Sequence, residues 1–366
     1  MAALKIEQLL RLMAQKNASD LHIRVGVPPI YRINGELQKV VDTPIDAATM
    51  DDFLMDMMNR DQMTRYENNK ECDFAVGARD MGRFRVNVFR QRGTSAMVIR
   101  HIKATIPKFE ELQLPPVILE LAERKRGLVL VTGTTGSGKS TCLASMIDHL
   151  NDTVADNIIT VEDPIEYLHR DRKSIVSQRE IGVDTNSYAN ALRSALRQDP
   201  DVLLVGEIRD LETMQIALTA ADTGHMVFAT IHTTNATETI ARVLSMYPPH
   251  QHDEVRLLLG ECLAGIISLR LLPTADGNGR VPAAEIMVNT AAIREYVIDK
   301  NKTGLIETAI AEGHMQYHSQ TFDQALLDLY VKNKITYEVA LAAATNPDDF
   351  DLKVRGISGT SDRGWM

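Results

Sequence analysis

Eight residues near the middle of the chain have the types and the spacing of a phosphate-binding loop. Gly133 to Ser140 reads G-T-T-G-S-G-K-S, which fits the pattern G-x-x-x-x-G-K-[ST]. Glycines let the backbone curl around an anion, so that several N–H groups and a helix N-terminus point at the phosphates. Lys139 would place a positive charge on the β- and γ-phosphates, and Ser140 would offer its hydroxyl to Mg²⁺. The motif therefore predicts a nucleoside triphosphate site.

The neighbouring sequence supports this prediction. Gly127 to Thr132 is a short apolar, β-branched run typical of a buried strand, and Thr141 to Met146 continues with a helical pattern. A strand followed by the loop and a helix is the context that the motif requires. The predicted nucleotide-binding residues are Gly133, Thr134, Thr135, Gly136, Ser137, Gly138, Lys139, Ser140 and Thr141.

Two groups of acids follow later candidate strands. Glu162, Asp163 and Glu166 come at and after the strand-like run 158–162, where they would address a metal or a lytic water, although an acidic loop after a strand is also ordinary surface chemistry. Glu207 follows the apolar run 202–205 and Gly206, which is the pattern of a Walker B element.

Two histidines accompany the next candidate strand, Val227 to Ile231. His225 precedes it and His232 follows it, and neither has metal-ligand spacing to a second ligand. A lone histidine is more often structural than catalytic. His232, at the carboxyl end of the strand, is the better candidate, and it would sense the γ-phosphate or pass that information to a neighbouring element.

The first hundred residues predict a small α/β unit. Helical spacing covers residues 4–16 and 49–66, and strand patterns cover 21–25, 30–33, 37–41, 83–90 and 96–102, with Asn34-Gly35 as a hairpin signal. The strand 83–90 places Phe84 on one face and Arg85 on the other, and the next strand carries Arg100. A solvated sheet face would explain both arginines, but a phosphate loop elsewhere in the chain makes a functional role more plausible.

A proline-rich stretch, Ile106 to Pro116, separates this unit from a second region in which strands and helices alternate. Such alternation predicts an α/β fold with a mostly parallel sheet, which binds its ligand at the carboxyl ends of the strands. The expected domains are an N-terminal unit over residues 1–105, an interdomain linker over 106–123, the nucleotide-binding core with C-terminal helices over 124–347, and a polar, flexible tail over 348–366.

Composition limits the function classes. A length of 366 residues with 44% hydrophobic content suits two well-packed domains, and the formal net charge of −9 opposes a large nucleic-acid surface. Three isolated cysteines favour neither a disulfide framework nor structural zinc. The chain has no apolar run of the length needed to cross a bilayer and no signal peptide pattern, so we expect no transmembrane segment and a cytoplasmic location.

Five motifs in order, GTTGSGKST, TVEDPIEYLH, RQDPDVLLVGEIRD, TGHMVFATIHT and AAIREYV, carry a family resemblance. The chain resembles the secretion ATPase superfamily and, within it, the type IV pilus retraction (twitching motility) ATPases of the PilT/PilU family. The resemblance covers residues 1 to about 345. It implies a RecA-like P-loop core, a smaller N-terminal PAS-like α/β domain, ATP and Mg²⁺ as cofactors, and a hexameric ring of identical subunits.

The resemblance also implies roles for individual residues. Glu166 matches the general base, and Glu207 matches the Walker B acid that serves the metal together with Ser140. Arg85 and Arg100 match the arginines that stabilise charge on the phosphates. His225 and His232 match the paired positions of the histidine box.

Within this family the resemblance implies retraction, since extension ATPases usually have further N-terminal domains and a four-cysteine zinc site. The C-terminal extension makes the PilU branch the nearer likeness, which implies cooperation with a PilT-type motor, contact with an inner-membrane platform protein and a peripheral position at the pilus base. Two alternatives stay open. One is a nucleotide-binding adaptor with little ATPase activity that couples to a partner ring; the other, opposed by the acidic composition, is a nucleic-acid translocase.

Overall fold

The computed structural model describes residues 4–33, 35–78, 81–102 and 105–356. These residues divide into two compact units. The first unit holds the described residues up to Thr105 together with Glu166–Leu168, and the second holds the described residues from Ile106 onward except for that short segment.

The first unit is built on an antiparallel six-stranded sheet. Its strands are β1 (Asp20–Arg24), β2 (Ile30–Ile33), β3 (Glu36–Lys39), β4 (Glu71–Ala78), β5 (Gly82–Gln91) and β6 (Thr94–Ile102). Their order across the sheet is β3-β2-β1-β6-β5-β4. Phe84, Val86 and Val88 of β5 are buried in the core of this unit, as their alternation predicted. The hairpin signal joins β2 to β3, where Gly35 has a φ of +86° and Asn34 lies outside the described residues.

Three helices complete this unit: α1 (Ile6–Gln15), α2 (Ala47–Met57) and α3 (Arg60–Asn69). The predicted first helix is confirmed, with Ile6, Leu9, Leu10 and Met13 buried along one stripe. The prediction of a single helix over 49–66 is wrong. The side chain of Asn59 accepts a hydrogen bond from the Gln62 N–H and the Gln62 side chain accepts one from the Asn59 N–H, and this capping box starts a second helix.

The second unit contains a seven-stranded sheet. Its strands are β7 (Gly127–Thr132), β8 (Asn157–Glu162), β9 (Ile175–Glu180), β10 (Val202–Val205), β11 (Met226–Ile231), β12 (Leu263–Pro273) and β13 (Arg280–Val288). Their order is β13-β12-β7-β11-β10-β8-β9, and all neighbours are parallel except β12 and β13. Two buried clusters cover its two faces. The predicted mostly parallel α/β core is confirmed.

Helices cover this sheet on both sides. They are α4 (Val117–Ala122), α5 (Lys139–Thr153), α6 (Tyr188–Ala195), α7 (Leu211–Asp222), α8 (Ala236–Ser245), α9 (His252–Cys262), α10 (Ala291–Ile298), α11 (Ile306–Glu312), α12 (His314–Tyr317), α13 (Phe322–Val331), α14 (Tyr337–Ala343) and α15 (Pro347–Val354). Short 3₁₀ helices occupy Phe109–Leu112, Pro249–Gln251 and Thr303–Leu305.

Two segments that were predicted as a linker and as a flexible tail contain helices with buried side chains. Residues 106–123, expected as a linker, contain α4, whose Ile118 and Leu121 are buried against the sheet of the second unit. The start of the expected flexible tail is helix α15, which Asn346 caps and which buries Phe350 in an apolar cluster with Phe322. The polar composition around Phe350 concealed this anchoring side chain. Residues 357–366 lie outside the described part of the chain.

In the ranges that the structure describes, no helix is both long enough and apolar enough to cross a membrane.

Candidate nucleotide-binding site

The phosphate loop lies between the carboxyl end of β7 and the first residue of α5, Lys139. The backbone φ angles of Gly133, Gly136 and Gly138 are +138°, +81° and +99°. Residues other than glycine adopt such positive φ angles only at a cost in free energy. A Cβ on Gly133 would lie 2.4 Å from Ser137 Oγ and 2.5 Å from the Leu269 carbonyl oxygen. The loop is therefore a tight backbone cradle that admits no side chain at its first position.

Two side chains inside the cradle suit an anionic ligand. The Lys139 ammonium donates to the carbonyl oxygens of Gly133 at 2.7 Å and Thr134 at 3.0 Å, so it points into the loop. Burial lowers the pKa of Lys139, and the attraction of Glu207 opposes that shift. The buried Ser137 hydroxyl has no hydrogen-bond partner among the described residues. An unpaired buried hydroxyl and a desolvated cation both fit phosphate oxygens.

Glu207 follows β10 at the same edge of the sheet. Gly206, between the strand and the acid, packs so closely that an added Cβ would lie 3.1 Å from the Val161 carbonyl oxygen and 3.0 Å from the Tyr188 hydroxyl oxygen. The Thr230 hydroxyl donates to the Gly206 carbonyl oxygen at 2.6 Å, and the Ile208 N–H donates to the Thr230 carbonyl oxygen at 2.9 Å. The turn that carries Glu207 is thus fixed from both sides.

The carboxylate of Glu207 lies beside an arginine and a histidine. Arg209 Nη2 is 2.6 Å from its Oε2, and His232 Nε2 is 3.1 Å from its Oε1. Burial alone would raise the pKa of Glu207, but the Arg209 hydrogen bond, His232 and Lys139 together hold that pKa below its usual range. Glu207 is therefore ionised at neutral pH. The structure brings together three predicted site residues, Lys139, Glu207 and His232.

The acidic segment after β8 is held at two points. The Ile165 N–H donates to Glu180 Oε2 at 3.2 Å, and the His169 N–H donates to Gln178 Oε1 at 2.8 Å. Gln178 Nε2 in turn donates to Glu162 Oε1 at 3.1 Å. Glu166, between the two anchor points, is exposed. An exposed carboxylate on an anchored segment suits a general base, which must reach a water molecule.

This anchoring gives a testable prediction. Gln178→Ala removes the acceptor of the His169 N–H, so we expect ATP hydrolysis to slow about tenfold because Glu166 loses its fixed position. Nucleotide affinity, measured by titration with ADP, should change by less than about threefold. Ser177→Ala, an exposed neighbour on β9, is the matched control and should leave both values unchanged. A Gln178→Ala rate equal to that of Ser177→Ala would show that the anchor has no catalytic effect.

His225 lies apart from this group within the chain, and the paired histidine-box roles of His225 and His232 stay a prediction. His225 lies before β11, where its carbonyl oxygen accepts from the Gly127 N–H and its Nδ1 is 2.9 Å from the Ala220 carbonyl oxygen. His232 lies after the same strand. His232 follows His225 by seven positions, so an extended strand that rises about 3.3 Å per residue separates the two by about 23 Å.

Arg85 and Arg100 lie in the first unit, directly opposite each other on β5 and β6. Arg100 Nε donates to Asp20 Oδ1 at 2.9 Å, and its side chain is 67% exposed. Directly paired residues project to the same face of a sheet, so the two guanidinium groups share the face opposite the core. The face assigned to Arg85 from the alternation of β5 is therefore correct, and the role of both arginines stays a prediction.

Sequence reasoning missed several residues that shape the site: Gln178, Glu180, Tyr188 and Arg209. Burial raises the pKa of the Tyr188 hydroxyl, and the charges of Asp163 and Glu207 raise it further, which places this hydroxyl near both acids. Arg209 was detectable, since it follows Glu207 by two residues in the motif GEIRD. Gln178 and Glu180 lie on the edge strand β9, and no local pattern marks them.

A phosphate loop, a strand-end acid and a parallel sheet of this order define a P-loop ATPase with a RecA-like core. The chain belongs to the Type II/IV secretion system protein family, whose profile matches residues 3–333.

Individual relatives cover nearly the whole chain. The type IV pilus ATPase PilU of Pseudomonas aeruginosa is 42% identical over 96% of this chain and 92% of its own length. The type IV pilus retraction ATPase PilT of the same organism is 44% identical over 94% of this chain and 99% of its own length. A crystal structure of the pilus retraction motor PilT with bound ADP is 45% identical, with a TM-score of 0.87 over 94% of this chain and 98% of that one. The predicted family and fold class are confirmed.

Proposed function

We propose that this protein is an ATP-hydrolysing motor that powers type IV pilus retraction and thereby twitching motility. The observation that carries the proposal is the meeting of Lys139, Glu207 and His232 beside the phosphate loop, in a chain that matches retraction ATPases over nearly its full length. A site with an ionised strand-end acid and a histidine partner is equipped for turnover as well as for binding.

Within this site the residues divide the work. The loop amides and Lys139 would hold the phosphates, Ser140 and Glu207 would hold Mg²⁺, and Glu166 would take the proton of the attacking water. Bound Mg²⁺ would supply charge neutralisation on the β- and γ-phosphate oxygens. His232, whose Nε2 contacts Glu207, reports the presence of the γ-phosphate to the turn that carries this acid.

Arg85 and Arg100 are proposed to stabilise charge that develops on the transferred phosphoryl group. Arg100→Ala should therefore lower the hydrolysis rate about 100-fold while changing ADP affinity by less than about threefold. Arg11→Ala removes an exposed arginine of the same unit, paired with Glu7 on α1, and serves as the control. Turnover by Arg100→Ala at the rate of the control would remove Arg100 from the proposed machinery.

The proposed assembly is a hexameric ring that is PilU-like and cooperates with a PilT motor. The PilU relative matches 96% of this chain and the PilT relative matches 94%, so either resemblance supports an ATPase that acts on the pilus. The ring would work in the cytoplasm at the pilus base, on the inner-membrane platform protein. Phosphate release would then loosen the closed state, and a bias of about 5 kcal/mol suffices for a nearly complete switch between two arrangements.

The deciding experiment is ATP hydrolysis by the purified full-length chain with and without Mg²⁺, beside Lys139→Ala. We expect Mg²⁺-dependent turnover that Lys139→Ala abolishes. Equal, near-zero rates would favour a nucleotide-binding adaptor instead. Imaging pilus retraction under load in cells lacking the gene, with and without a PilT-type motor, then tests the motor role, and unchanged retraction in both backgrounds would contradict it.

A further inference from the structure

A row of buried polar side chains crosses the sheet next to the phosphate loop. Thr132 of β7 pairs with Ser268 of β12, and Ser268 pairs with Glu285 of β13. All three are at most 5% exposed, and the Thr132 hydroxyl donates to Ser268 Oγ at 2.9 Å. Directly paired residues project to the same face. The row thus begins at the residue before Gly133 and ends at a buried carboxyl group that the proposed chemistry does not use.

Glu285 has a defined partner at its other end. Its Oε1 accepts a hydrogen bond of 2.7 Å from the backbone N–H of Ala236. Ala236 is the first residue of α8, where the backbone N–H groups of a helix lack partners within the helix, and it follows His232 by four residues. A carboxyl group from β13 therefore fixes the end of the loop that begins with the proposed γ-phosphate sensor.

The loop between His232 and Ala236 is firmly tied to α8. Thr233 Oγ1 lies 2.7 Å from Thr239 Oγ1, and the Thr234 N–H donates to Glu238 Oε2 at 2.7 Å. The Asn235 side chain accepts from the Glu238 N–H at 2.8 Å. The loop and the first turn of α8 therefore move as one piece, so a contact that holds Ala236 also holds His232.

We propose that Glu285 is a positioning residue of the nucleotide site. By binding the Ala236 N–H, it fixes the position of His232 relative to Glu207. It also connects this loop to the row of Thr132, Ser268 and Glu285, which begins beside the phosphate loop. The inference rests on the proposed function, because it assigns a task to a residue that acts through His232.

The surroundings of Glu285 show that packing alone does not account for it. Burial raises its pKa from an ordinary value of 4.5 to about 7, the Ala236 N–H opposes that shift, and Glu307 of α11 adds to it. Arg270 of β12 lowers this pKa and Asp323 of α13 raises it. Burying an acid costs stability that an apolar side chain would not cost, so its presence at this position fits a positioning task.

Two substitutions separate this task from simple packing. Glu285→Ala removes the acceptor for Ala236, whereas Glu285→Gln keeps an oxygen in the same place. We expect kcat for ATP hydrolysis to fall about tenfold in Glu285→Ala and to return to within about twofold of wild type in Glu285→Gln, with ADP affinity within about threefold in both. Val281→Ala, buried on the same face of β13, controls for lost packing and should keep the wild-type kcat.

Hydrogen exchange supplies a readout that does not depend on activity. The Ala236 amide should exchange at least about tenfold faster in Glu285→Ala and at the wild-type rate in Glu285→Gln. Unchanged exchange in Glu285→Ala would overturn the contact, and an unchanged kcat in that variant would overturn its role in catalysis. Equal kcat losses in both Glu285 variants, or the same loss in Val281→Ala, would also contradict the proposal. An inactive wild type with the expected exchange pattern would instead count against the proposed ATPase function.

The proton on Glu285 gives a further measurement. Between about pH 4.5 and 7 the folded protein retains a proton that the unfolded chain has lost, so this group makes stability fall as the pH rises through that window. Glu285→Gln cannot ionise. The Tm of wild type relative to Glu285→Gln should therefore drop by about 5 °C from pH 5 to pH 8. A constant difference would show that Glu285 does not titrate in this range.

Discussion

Glu207→Ala is expected to lower the rate of ATP hydrolysis about 100- to 1000-fold while the protein still binds ADP. Its carboxylate is the group at which Arg209, His232 and the charge of Lys139 converge, and it is held ionised there. Removing this carboxylate would take away one proposed ligand of Mg²⁺. It would also leave the Arg209 and His232 side chains without their common partner. The measurement is Mg²⁺-dependent phosphate release beside ADP titration.

The control for Glu207→Ala lies at the other end of the same strand. Asp201 accepts a hydrogen bond from the Asn157 N–H at 2.8 Å, and Asp201→Asn retains an acceptor oxygen while removing the charge. It should hydrolyse ATP at close to the wild-type rate. If the two variants lost activity equally, disturbance of β10 would explain the loss, and Glu207 would not be the acid of the site.

Gly133→Ala is expected to weaken ADP binding at least about 100-fold and to destabilise the fold by about 3 kcal/mol. The added methyl group would lie 2.4 Å from Ser137 Oγ and 2.5 Å from the Leu269 carbonyl oxygen, on a residue with a φ of +138°. Since the Leu269 oxygen belongs to the backbone of β12, relief requires movement of the loop that holds the phosphates. Calorimetric titration and thermal unfolding measure the two effects.

Gly136→Ala separates the two causes. Gly136 also has a positive φ, of +81°, but nothing lies within 4 Å of an added Cβ. It should therefore show only the backbone strain, about 1 kcal/mol, and a smaller loss of affinity. Equal losses in both variants would mean that backbone strain, and not the contact with Leu269, limits the cradle.

Local sequence patterns correctly predicted the phosphate loop and the individual strands that they cover. The glycine spacing of the phosphate loop, the buried runs of β7, β8, β10 and β11, and the alternation of β5 all gave correct elements, because backbone conformation and side-chain period are set within a few residues. The order of the central strands depends on long-range contacts, so the sequence left open which strands are neighbours.

Long-range contacts explain what the sequence did not reveal. Glu180 binds Ile165 across 15 positions, Gln178 binds His169 across 9 positions, and Glu285 reaches Ala236 across 49 positions. The strands β12 and β13 were missed because β12 follows α9 directly and β13 carries a buried acid in an apolar run. The distance between His225 and His232 could have been calculated from the length of β11 alone. The motif contains both histidines, and their closeness in sequence hid the fact that they lie at opposite ends of the strand.

The cluster around Phe350 has a practical consequence for anyone who shortens this protein. Phe350 packs with Phe322 and Val281, while Arg270 stacks over the Phe322 ring at 3.7 Å. Ending the chain at Pro347 would remove Phe350 and Val354 from this cluster and expose part of the apolar surface that they cover. A version trimmed to match shorter relatives should therefore stop after Gly356, so that any change in pilus behaviour reports the extension itself and not a damaged sheet.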